Sequence, residues 1–445
     1  MMHTQNNAGT QLAEIQRIQM QDRSRAEALL RQWFQAHLAV PVTAVTLTPR
    51  PTSLNSLNGF CVIDGQQLFF KTHVEEQGVL DEYYNVDVLE RAGYPVVKPV
   101  AAFRERGRQM LIYPCVTAPV VFDIVRALET NPNSVPDPAR TSAPSGQGPG
   151  GADKSQNAWP DLTIEAFLRV ERQEDRRLLD IYLRTLEFLP AQANGTAPVH
   201  QLFWHRLQGE RMRTFYARRP ITLPVGTFDI AALLRLKWVI NGRAYSETLG
   251  AMFERAADLL VPSRPAWSVI GHGDAHNGNI FFEPSPDVAG YTYRYFDPAF
   301  AGRHSPLLDL AKPLFHNVFA AWMYFPQEVA QTLKLEARLI NNTLYVEHDY
   351  VPSPVRLGIL QARVELVLGP LVRELAARHA LADDWQAFLK SALLCCPLLT
   401  INLADPERVP APVALLGLAY TVEMGGLAYQ GTPSLLDAAL ATISV

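Results

Sequence analysis

The sequence lacks the features that would take the chain into a membrane or onto a nucleic acid. No apolar run approaches the length that spans a bilayer, and the polar N-terminus has no apolar segment of the kind found in signal peptides. The net charge of −4 provides no basic surface for a phosphate backbone. We therefore expect neither a membrane nor a nucleic acid as a partner.

Cysteine is also scarce. The chain has 4 cysteines, Cys61, Cys115, Cys395 and Cys396, and their spacing matches no metal site. The adjacent pair is too constrained for an ordinary disulfide bond. Reduced thiols are the simplest interpretation, and they predict a cytoplasmic protein.

What remains is the composition of a globular protein. The 445 residues are 48% hydrophobic and 19% charged, which is enough for two cores or one large core. Residues 131–159 differ from the rest, because they are rich in proline, glycine and serine and contain almost nothing to bury. They predict a disordered surface insertion rather than a boundary between domains.

Hydrophobic periodicity divides the chain into three parts. Residues 1–39 carry apolar side chains at helical spacing and predict an N-terminal helical extension. Residues 40–117 predict short strands, with a hairpin at the Asp-Gly pair 64–65, because this pair accepts the positive φ angles of a type I′ turn. Residues 118–445 predict helices over most of their length, including the stretch 228–260 with an interruption at Asn241-Gly242.

A lysine and a glutamate in the strand-rich part form the first candidate pair. Lys71 ends a predicted strand, and the predicted helix at 80–92 carries Glu82 on its first turn. A lysine there could simply protect an edge strand. The order of strand, helix and two further strands instead favours an arrangement in which the helix carboxylate positions the strand ammonium for phosphate contact. We predict that Lys71 and Glu82 have this role.

The most informative stretch is Gly-His-Gly-Asp-Ala-His-Asn-Gly-Asn at residues 271–279. It joins predicted strands at 267–270 and 280–282, and a turn-rich segment leads into a third predicted strand at 291–296. Asp297 follows that third strand directly. The polar side chains of this region are therefore presented from strand ends, which hold their geometry better than a free loop does.

These side chains suit the transfer of a phosphoryl group. In-line transfer needs a carboxylate that orients the attacking hydroxyl and accepts its proton, and it needs oxygen ligands for Mg²⁺. Asp274 suits the first role, and Asn279 and Asp297 suit the second. We predict that His272 shapes the loop through a hydrogen bond to the backbone.

The same residue types also occur where no phosphoryl group is transferred. Aspartate and asparagine commonly stabilise turns. The alternation of His272, Asp274 and His276 could indicate a metal-dependent hydrolase, although no second cluster with ligand spacing lies nearby. The combination with Asp297 and Lys71 favours phosphoryl transfer.

Three segments resemble the aminoglycoside phosphotransferase and choline kinase group of small-molecule kinases. They are His-Gly-Asp-Ala-His-Asn-Gly-Asn at 272–279, Phe-Asp-Pro-Ala-Phe-Ala-Gly at 296–302 and Leu-Asp-Leu-Ala at 308–311. The resemblance covers about residues 40–325 and is specific between His272 and Ala311. It implies an α+β, protein-kinase-like fold of two lobes. The N-lobe would be a small antiparallel sheet that binds nucleotide, and the C-lobe would be large, mostly helical and carry the catalytic loop.

The resemblance also implies residue roles. Asp274 matches the catalytic base, Asn279 and Asp297 match the magnesium ligands, and Asp309 matches a buried acid that braces the loop. The remaining matches would contact the nucleotide. Lys71 and Glu82 match the pair that binds the phosphates, and Tyr113 and Cys115 lie in the segment that matches the hinge beside adenine. The loop that replaces the glycine-rich loop of protein kinases contains Ser53, Asn55, Ser56 and Asn58. The implied cofactors are ATP, or another nucleoside triphosphate, and Mg²⁺.

The implied reaction is transfer of the γ-phosphate to a hydroxyl group of a small molecule. The acceptor class stays open at this point. A cationic aminoglycoside would need clustered acids, for which Glu336, Glu347, Asp349 and Glu365 are available. A quaternary amine would need an aromatic cage, for which Trp322, Tyr324, Phe325 and Trp385 are available. The alternative is a kinase-like nucleotide-binding or regulatory protein that has lost the reaction, and no oligomeric state is predicted.

Overall fold

The computed structural model describes residues 11–12, 14–16, 18–19, 22–37, 41–48, 56–73, 82–103, 110–130, 162–217, 219–285 and 290–444, without the side chains of 37, 56, 73, 82–84 and 210. The candidate loop residues Ser53 and Asn55 and the predicted insertion at 131–159 lie outside these ranges. The same holds for the side chains of Ser56 and Glu82.

The first part of the fold is a five-stranded antiparallel sheet. Its strands lie in the order β1-β2-β3-β5-β4. They are β1 Val42–Leu47, β2 Ser56–Ile63, β3 Gln66–His73, β4 Ala101–Phe103 and β5 Met110–Pro114. Asp64 and Gly65 join β2 to β3 with φ angles of 50° and 77°, which are the positive values that a type I′ turn requires. The predicted hairpin is confirmed.

A helix from the N-terminal part of the chain packs on this sheet. Helix α1, Arg23–His37, buries Leu30 and Phe34 in the same core as the strands. The ring of Phe34 meets that of Phe70 edge-on, with the centroids 5.3 Å apart. A sheet must bury its apolar face against a second layer. Helix α1 provides that layer and completes this small core.

The segment between β3 and β4 connects the small sheet to the rest of the molecule. Helix α2, Glu82–Ala92, buries Leu89 in the large core instead of the small one. The amide nitrogen of Asn85 donates to the carbonyl oxygen of Pro298 at 3.2 Å. The backbone nitrogen of Val97 donates to the carbonyl oxygen of Tyr295 at 2.8 Å. The helix and its exit are therefore attached to the strand that precedes Asp297.

Helices make up most of the larger part. They are α3 Val121–Thr130, α4 Ile164–Thr185, α5 Ala191–Asn194, α6 Trp204–Gln208, α7 Glu210–Tyr216, α8 Ile230–Leu234, α9 Leu249–Leu259, α10 Pro306–Leu314, α11 Ala321–Tyr324, α12 Pro326–Thr332, α13 Pro354–Arg363, α14 Gly369–Ala377, α15 Trp385–Thr400, α16 Ala411–Gly425 and α17 Leu435–Ala441. Short 3₁₀ turns occupy Pro198–Leu202 and Asn277–Asn279, and π-helical turns occupy Phe315–Phe319 and Val364–Leu368. Helices α15 and α16 are buried on nearly all sides and pack against each other at the centre of the large core.

A second five-stranded sheet lies in this part, and the helical prediction was wrong there. Its order is β15-β16-β9-β10-β17. The strands are β9 Lys237–Ile240, β10 Arg243–Tyr245, β15 Leu335–Ile340, β16 Thr343–His348 and β17 Ala428–Gln430, and a separate hairpin joins β7 Ile221–Leu223 to β8 Gly226–Phe228.

Turn chemistry explains this error. The pair Asn241-Gly242 interrupts the stretch predicted as helix, and its φ angles are 47° and 74°. Asn341 and Asn342 join β15 to β16 with φ angles of 48° and 63°. Both turns use the geometry already seen at 64–65, because asparagine and glycine tolerate positive φ. Apolar spacing by itself does not separate short strands from helical turns.

The predicted site strands are confirmed. Strand β11, Ala266–Gly271, pairs with β14, Gly302–His304, and with β6, Glu187–Leu189. Strands β12, Ile280–Pro284, and β13, Tyr291–Tyr295, form an antiparallel hairpin beside it. The chain as a whole is α+β, with helices and mainly antiparallel sheets. Within the ranges that the structure describes, no helix is both long and apolar enough to cross a membrane.

Candidate active site

The loop that follows β11 is attached to the segment before Asp297 by His272. The Nε2 atom of His272 lies 3.0 Å from the carbonyl oxygen of Phe296 and so must carry the hydrogen. The Nδ1 atom accepts from the backbone nitrogen of Asp274 at 3.4 Å. Burial lowers the pKa of His272, which keeps the ring neutral. The structure thus places His272 as a positioning residue.

Asp309 braces the same loop from helix α10. Its buried carboxylate accepts from the backbone nitrogen of Gly273 at 2.5 Å, from Nε2 of His304 at 3.0 Å and from the hydroxyl of Tyr182. Burial raises the pKa of Asp309, but the hydrogen bonds outweigh burial and leave this pKa below its ordinary value. Asp309 therefore stays ionised and acts on the site only through the loop backbone.

Asp274, Asn279 and Asp297 are brought together by backbone contacts. The side-chain nitrogen of Asn279 donates to the carbonyl oxygen of Asp274 at 2.9 Å. The backbone nitrogen of Phe296 donates to the carbonyl oxygen of Asn279 at 3.0 Å. Asp297 has a φ angle of 59°, which is uncommon for a residue with a side chain. Such conformations cluster at functional sites, where the surrounding structure enforces them.

Lys71 reaches this group from the small sheet. Its ammonium forms an ion pair with Oδ1 of Asp297 across 226 positions of sequence. The side chain of Lys71 is 12% exposed and that of Asp297 is 28% exposed, so the pair lies in a partly open site. Glu82 begins helix α2, and its predicted pairing with Lys71 concerns a side chain outside the described residues.

The residues present fit a magnesium ion. The hydrogen bond from Asn279 to Asp274 uses the amide nitrogen, so the amide oxygen has no protein donor among the described residues. Asp297 provides a partly exposed carboxylate next to it. One amide oxygen and one carboxylate, together with phosphate and water oxygens, form the ligand set that Mg²⁺ prefers. Within the described ranges, no group of three or more His, Cys, Asp or Glu side chains is arranged to hold a metal.

The other predicted nucleotide contacts lie on neighbouring strands. Asn58 on β2 faces Lys71 on β3 in the strand register. Tyr113 on β5 faces Phe69, two residues before Lys71. Tyr113 is buried, whereas Cys115 lies just past the end of β5 and is half-buried. The sheet therefore places these predicted residues on or next to the two strands that pair with β3, the strand of Lys71.

Sequence reasoning did not identify Lys312. Its ammonium donates to Oδ1 of Asp274 at 2.6 Å, and the side chains of Lys312 and Asp274 are only 8% and 11% exposed. Lys312 lies on α10, where every residue from Pro306 to Leu314 is buried. A single cation within an apolar helix was the available signal, because a buried ammonium needs a partner. Lys312 fixes the orientation of the proposed base.

A histidine also lies beside Asp274. The Nδ1 atom of His276 accepts from the backbone nitrogen of Gly278 at 3.1 Å, so the hydrogen lies on Nε2. That Nε2 atom is 3.8 Å from Oδ1 of Asp274. Burial lowers the pKa of His276 to about 4. The ring is therefore neutral at physiological pH and adds no charge to the base.

Replacing Gly273 by alanine is expected to disrupt the loop. Gly273 has a φ angle of 78°, and a Cβ atom there would lie 2.8 Å from the carbonyl carbon of Phe300 and closer still to its oxygen. The conformation alone costs a residue with a Cβ about 1–2 kcal/mol, and the overlap adds to this cost. The melting temperature and the kcat should both fall.

Gly65→Ala is the matched control for this change. Gly65 has nearly the same φ angle, 77°, but no atom lies within 4 Å of a Cβ placed there. The control should lose stability without losing turnover. Equal loss of turnover in both variants would contradict the role of the close approach to Phe300.

No protein-family model and no curated protein matches the chain. Solved structures that match include an ethanolamine kinase from Plasmodium vivax, with 8% identity and a TM-score of 0.42 over 89% of this chain and 88% of that chain. A thermostable mutant of an aminoglycoside phosphotransferase matches with 13% identity and a TM-score of 0.41, over 89% of this chain and 97% of that chain. A spectinomycin phosphotransferase, in complex with ADP and spectinomycin, matches with 11% identity and a TM-score of 0.35, over 88% and 98%.

The matched structures are phosphotransferases and a kinase. This chain is similar to the aminoglycoside phosphotransferase and choline kinase group, both in its motifs and in the solved structures that match it.

Proposed function

We propose that the chain is an ATP- and Mg²⁺-dependent kinase that phosphorylates a hydroxyl group of a small molecule. The observation that carries the proposal is the contact of Lys71 with Asp297, at a point where backbone hydrogen bonds also hold Asp274 and Asn279. A phosphate-binding cation, two oxygen ligands and a carboxylate base are the parts that phosphoryl transfer needs.

The proposed roles follow from these positions. Asp274 orients the acceptor hydroxyl and takes its proton as the hydroxyl oxygen bonds to the γ-phosphorus and the bond to the ADP oxygen breaks. Lys71 contacts the phosphates. Asn279 and Asp297 would hold the metal, which would supply positive charge to offset that of the phosphates. Lys312 and His272 keep the base and its loop in place.

We assign the two roles to two lobes, as in a protein-kinase-like arrangement. Residues 40–117 bind the nucleotide between the Asn58 region and the segment of Tyr113 and Cys115, and residues 118–445 carry the catalytic loop. Two separate clusters of buried residues underlie this assignment, one in the small sheet with α1 and one in the larger part. Use of ATP fits the cytoplasmic location predicted from the cysteines.

Nucleotide binding should depend on magnesium, and this tests the proposal. ATP with Mg²⁺ is expected to raise the melting temperature, because a ligand at about 100 times its Kd stabilises the folded state by about 2.7 kcal/mol. ATP without Mg²⁺ should stabilise it less. In Asp297→Asn, which keeps an acceptor for Lys71, the metal-dependent part of the shift should disappear.

The same experiment distinguishes the proposed kinase from the alternative function, a nucleotide-binding or regulatory protein that has lost the reaction. A nucleotide-binding protein that has lost the reaction would show a shift in melting temperature that is independent of Mg²⁺. It would also show no ATP hydrolysis in the absence of an acceptor, whereas an active kinase should hydrolyse ATP slowly. That result would contradict the proposed kinase. Replacing the exposed Asp180 by asparagine is a matched control, since Asp180 forms a surface ion pair with Arg184 and should leave the shift unchanged.

A further inference from the structure

We propose that strand β15 pairs with the same strand of a second copy of this chain, so that the second sheet continues across a symmetric dimer. None of the residues of β15 belongs to the candidate active site, and the pairing does not depend on the proposed kinase function. Two features of the strand carry the proposal: its open edge and the order of its charges.

Strand β15 forms one edge of the second sheet. Among the described strands it pairs only with β16, and the register runs without a shift from Leu335 opposite His348 to Ile340 opposite Thr343. Edge strands are commonly short, bulged or interrupted by proline or lysine, and these features discourage pairing with another chain. β15 has 6 residues and none of these features. Its edge is therefore suited to pairing.

The other edges of the two five-stranded sheets are protected. Strand β17, at the opposite edge of the second sheet, has 3 residues and a shift in its register. In the small sheet, β4 has 3 residues, and β1 has an irregularity between Val42 and Ala44. Within the described part of the chain, β15 is thus the edge of these sheets that is both long and regular.

The backbone of β15 presents hydrogen-bonding groups on the open side. In an antiparallel pair, successive residues point their N–H and C=O groups alternately toward the partner strand and away from it. The backbone nitrogen of Asp349 donates to the carbonyl oxygen of Lys334 at 3.2 Å, which fixes this alternation. Leu335, Ala337 and Leu339 therefore direct their backbone groups away from β16. No other described segment forms a backbone hydrogen bond with these groups.

The core-facing side of the sheet is incomplete at this edge. Ala337 and Leu339 lie opposite Val346 and Leu344, so they share a face with two fully buried side chains. Leu339 is nevertheless 42% exposed. A further strand beside β15 would cover this side chain.

Symmetry limits how two copies of β15 can pair. Two antiparallel copies of one strand are related by a twofold axis perpendicular to the sheet, and directly opposite residues lie on the same face. One residue must therefore lie on the axis, opposite its own copy. Only an axis at Ala337 or at Arg338 keeps nearly the whole strand paired.

The charges distinguish between these two registers. An axis at Arg338 places two guanidinium groups opposite each other, and like charges at directly opposite positions are destabilising. An axis at Ala337 instead places Glu336 opposite Arg338 of the partner subunit, and symmetry repeats this pair. The same register places Leu339 opposite Leu335 of the partner subunit, which covers the exposed leucine. The order of residues in β15 therefore specifies one register.

A single copy of the chain leaves these charges unbalanced. Glu336 lies directly opposite Glu347 on β16, which is an unfavourable pair of like charges. Arg338 contacts the ring of Tyr345, with its guanidinium carbon 5.4 Å from the centroid. Among the described residues, Glu336, Glu347 and Arg338 form no ion pair. Arg338 of the partner subunit would neutralise Glu336 and relieve its repulsion with Glu347.

Sedimentation of the full chain over a series of concentrations tests for the dimer. We expect a reversible dimer, because the pairing of one strand buries less surface than a standard interface does. A chain that remains monomeric up to about 100 µM overturns the proposal.

Charge reversal tests the register. Arg338→Glu should raise the Kd of the dimer at least about tenfold, because both Glu–Arg pairs become pairs of like charge. Glu336→Arg should have the same effect. The double variant should restore the dimer, since it only reverses each pair. Neither an axis at Arg338 nor an interface elsewhere on the molecule predicts this recovery, so its absence overturns the proposal.

Two further variants complete the test. Arg169→Glu is the matched control, since Arg169 is 67% exposed in an ion pair on α4, and its dimer should match the wild type. Ala337→Pro removes the outward N–H at the axis and should give a folded monomer, because proline is tolerated where an edge N–H faces solvent. Persistence of the dimer in folded Ala337→Pro, or equal weakening by Arg169→Glu, overturns the proposal. Melting curves verify folding, and the exposed charge variants decide the matter if Ala337→Pro does not fold.

Discussion

Asp274→Asn should lower the kcat of phosphoryl transfer by about 10²- to 10⁴-fold, the range that a positioned general base contributes. Asparagine has nearly the same shape and can still accept a hydrogen bond from Lys312, but it cannot accept the proton of the acceptor hydroxyl. Binding of ATP with Mg²⁺ should persist, because Lys71, Asn279 and Asp297 are unchanged. Steady-state turnover and the thermal shift with nucleotide measure the two effects separately.

Stability must be followed in the same variant. Asp274 is paired with a buried ammonium, so removing its charge leaves Lys312 partly uncompensated. The double variant Asp274→Asn with Lys312→Met removes both charges and should recover part of any lost stability. Turnover should remain low in both variants. Near-wild-type turnover of folded Asp274→Asn would exclude Asp274 as the base.

Asp309→Ala should destabilise the protein by about 3–5 kcal/mol, which is the cost of breaking a buried charged interaction on one side. The carboxylate is 2% exposed and accepts from Gly273, His304 and Tyr182. Without it, these donors are left buried and unsatisfied. Denaturant unfolding measures the change, and turnover should fall because the loop of Asp274 loses its brace.

Tyr182→Phe provides a graded comparison for this site. It removes one of the donors to Asp309 and leaves the carboxylate paired, so about 1 kcal/mol should be lost. A loss in Asp309→Ala no larger than that in Tyr182→Phe would contradict the bracing role.

The contribution of Asp309 also has a defined pH dependence. The pKa of Asp309 is lower in the folded protein than its ordinary value. Its stabilisation is therefore fully present above the unfolded pKa of about 3.9 and is lost as the pH falls through the folded value. The Asp309→Ala variant should lack this acid-dependent component.

Local signals in the sequence predicted those parts of the fold that depend on neighbouring residues. The pair at 64–65 specified its hairpin, because its conformational preference needs no distant partner. The strands around residues 271–279 were predicted for the same reason. The second sheet was not predicted, although Asn241-Gly242 carried a similar turn signal, since β9 pairs with the distant strand β16. Strand pairing across about a hundred positions leaves little trace in local periodicity.

The same distinction applies to the candidate site. The types of residue for phosphoryl transfer could be read from one short segment, because Asp274 and Asn279 lie on one loop. The contacts of Lys71 with Asp297 and of Lys312 with Asp274 join residues that are 226 and 38 positions apart. Residue chemistry is a local property, whereas the charge balance around the base depends on how distant segments fold together.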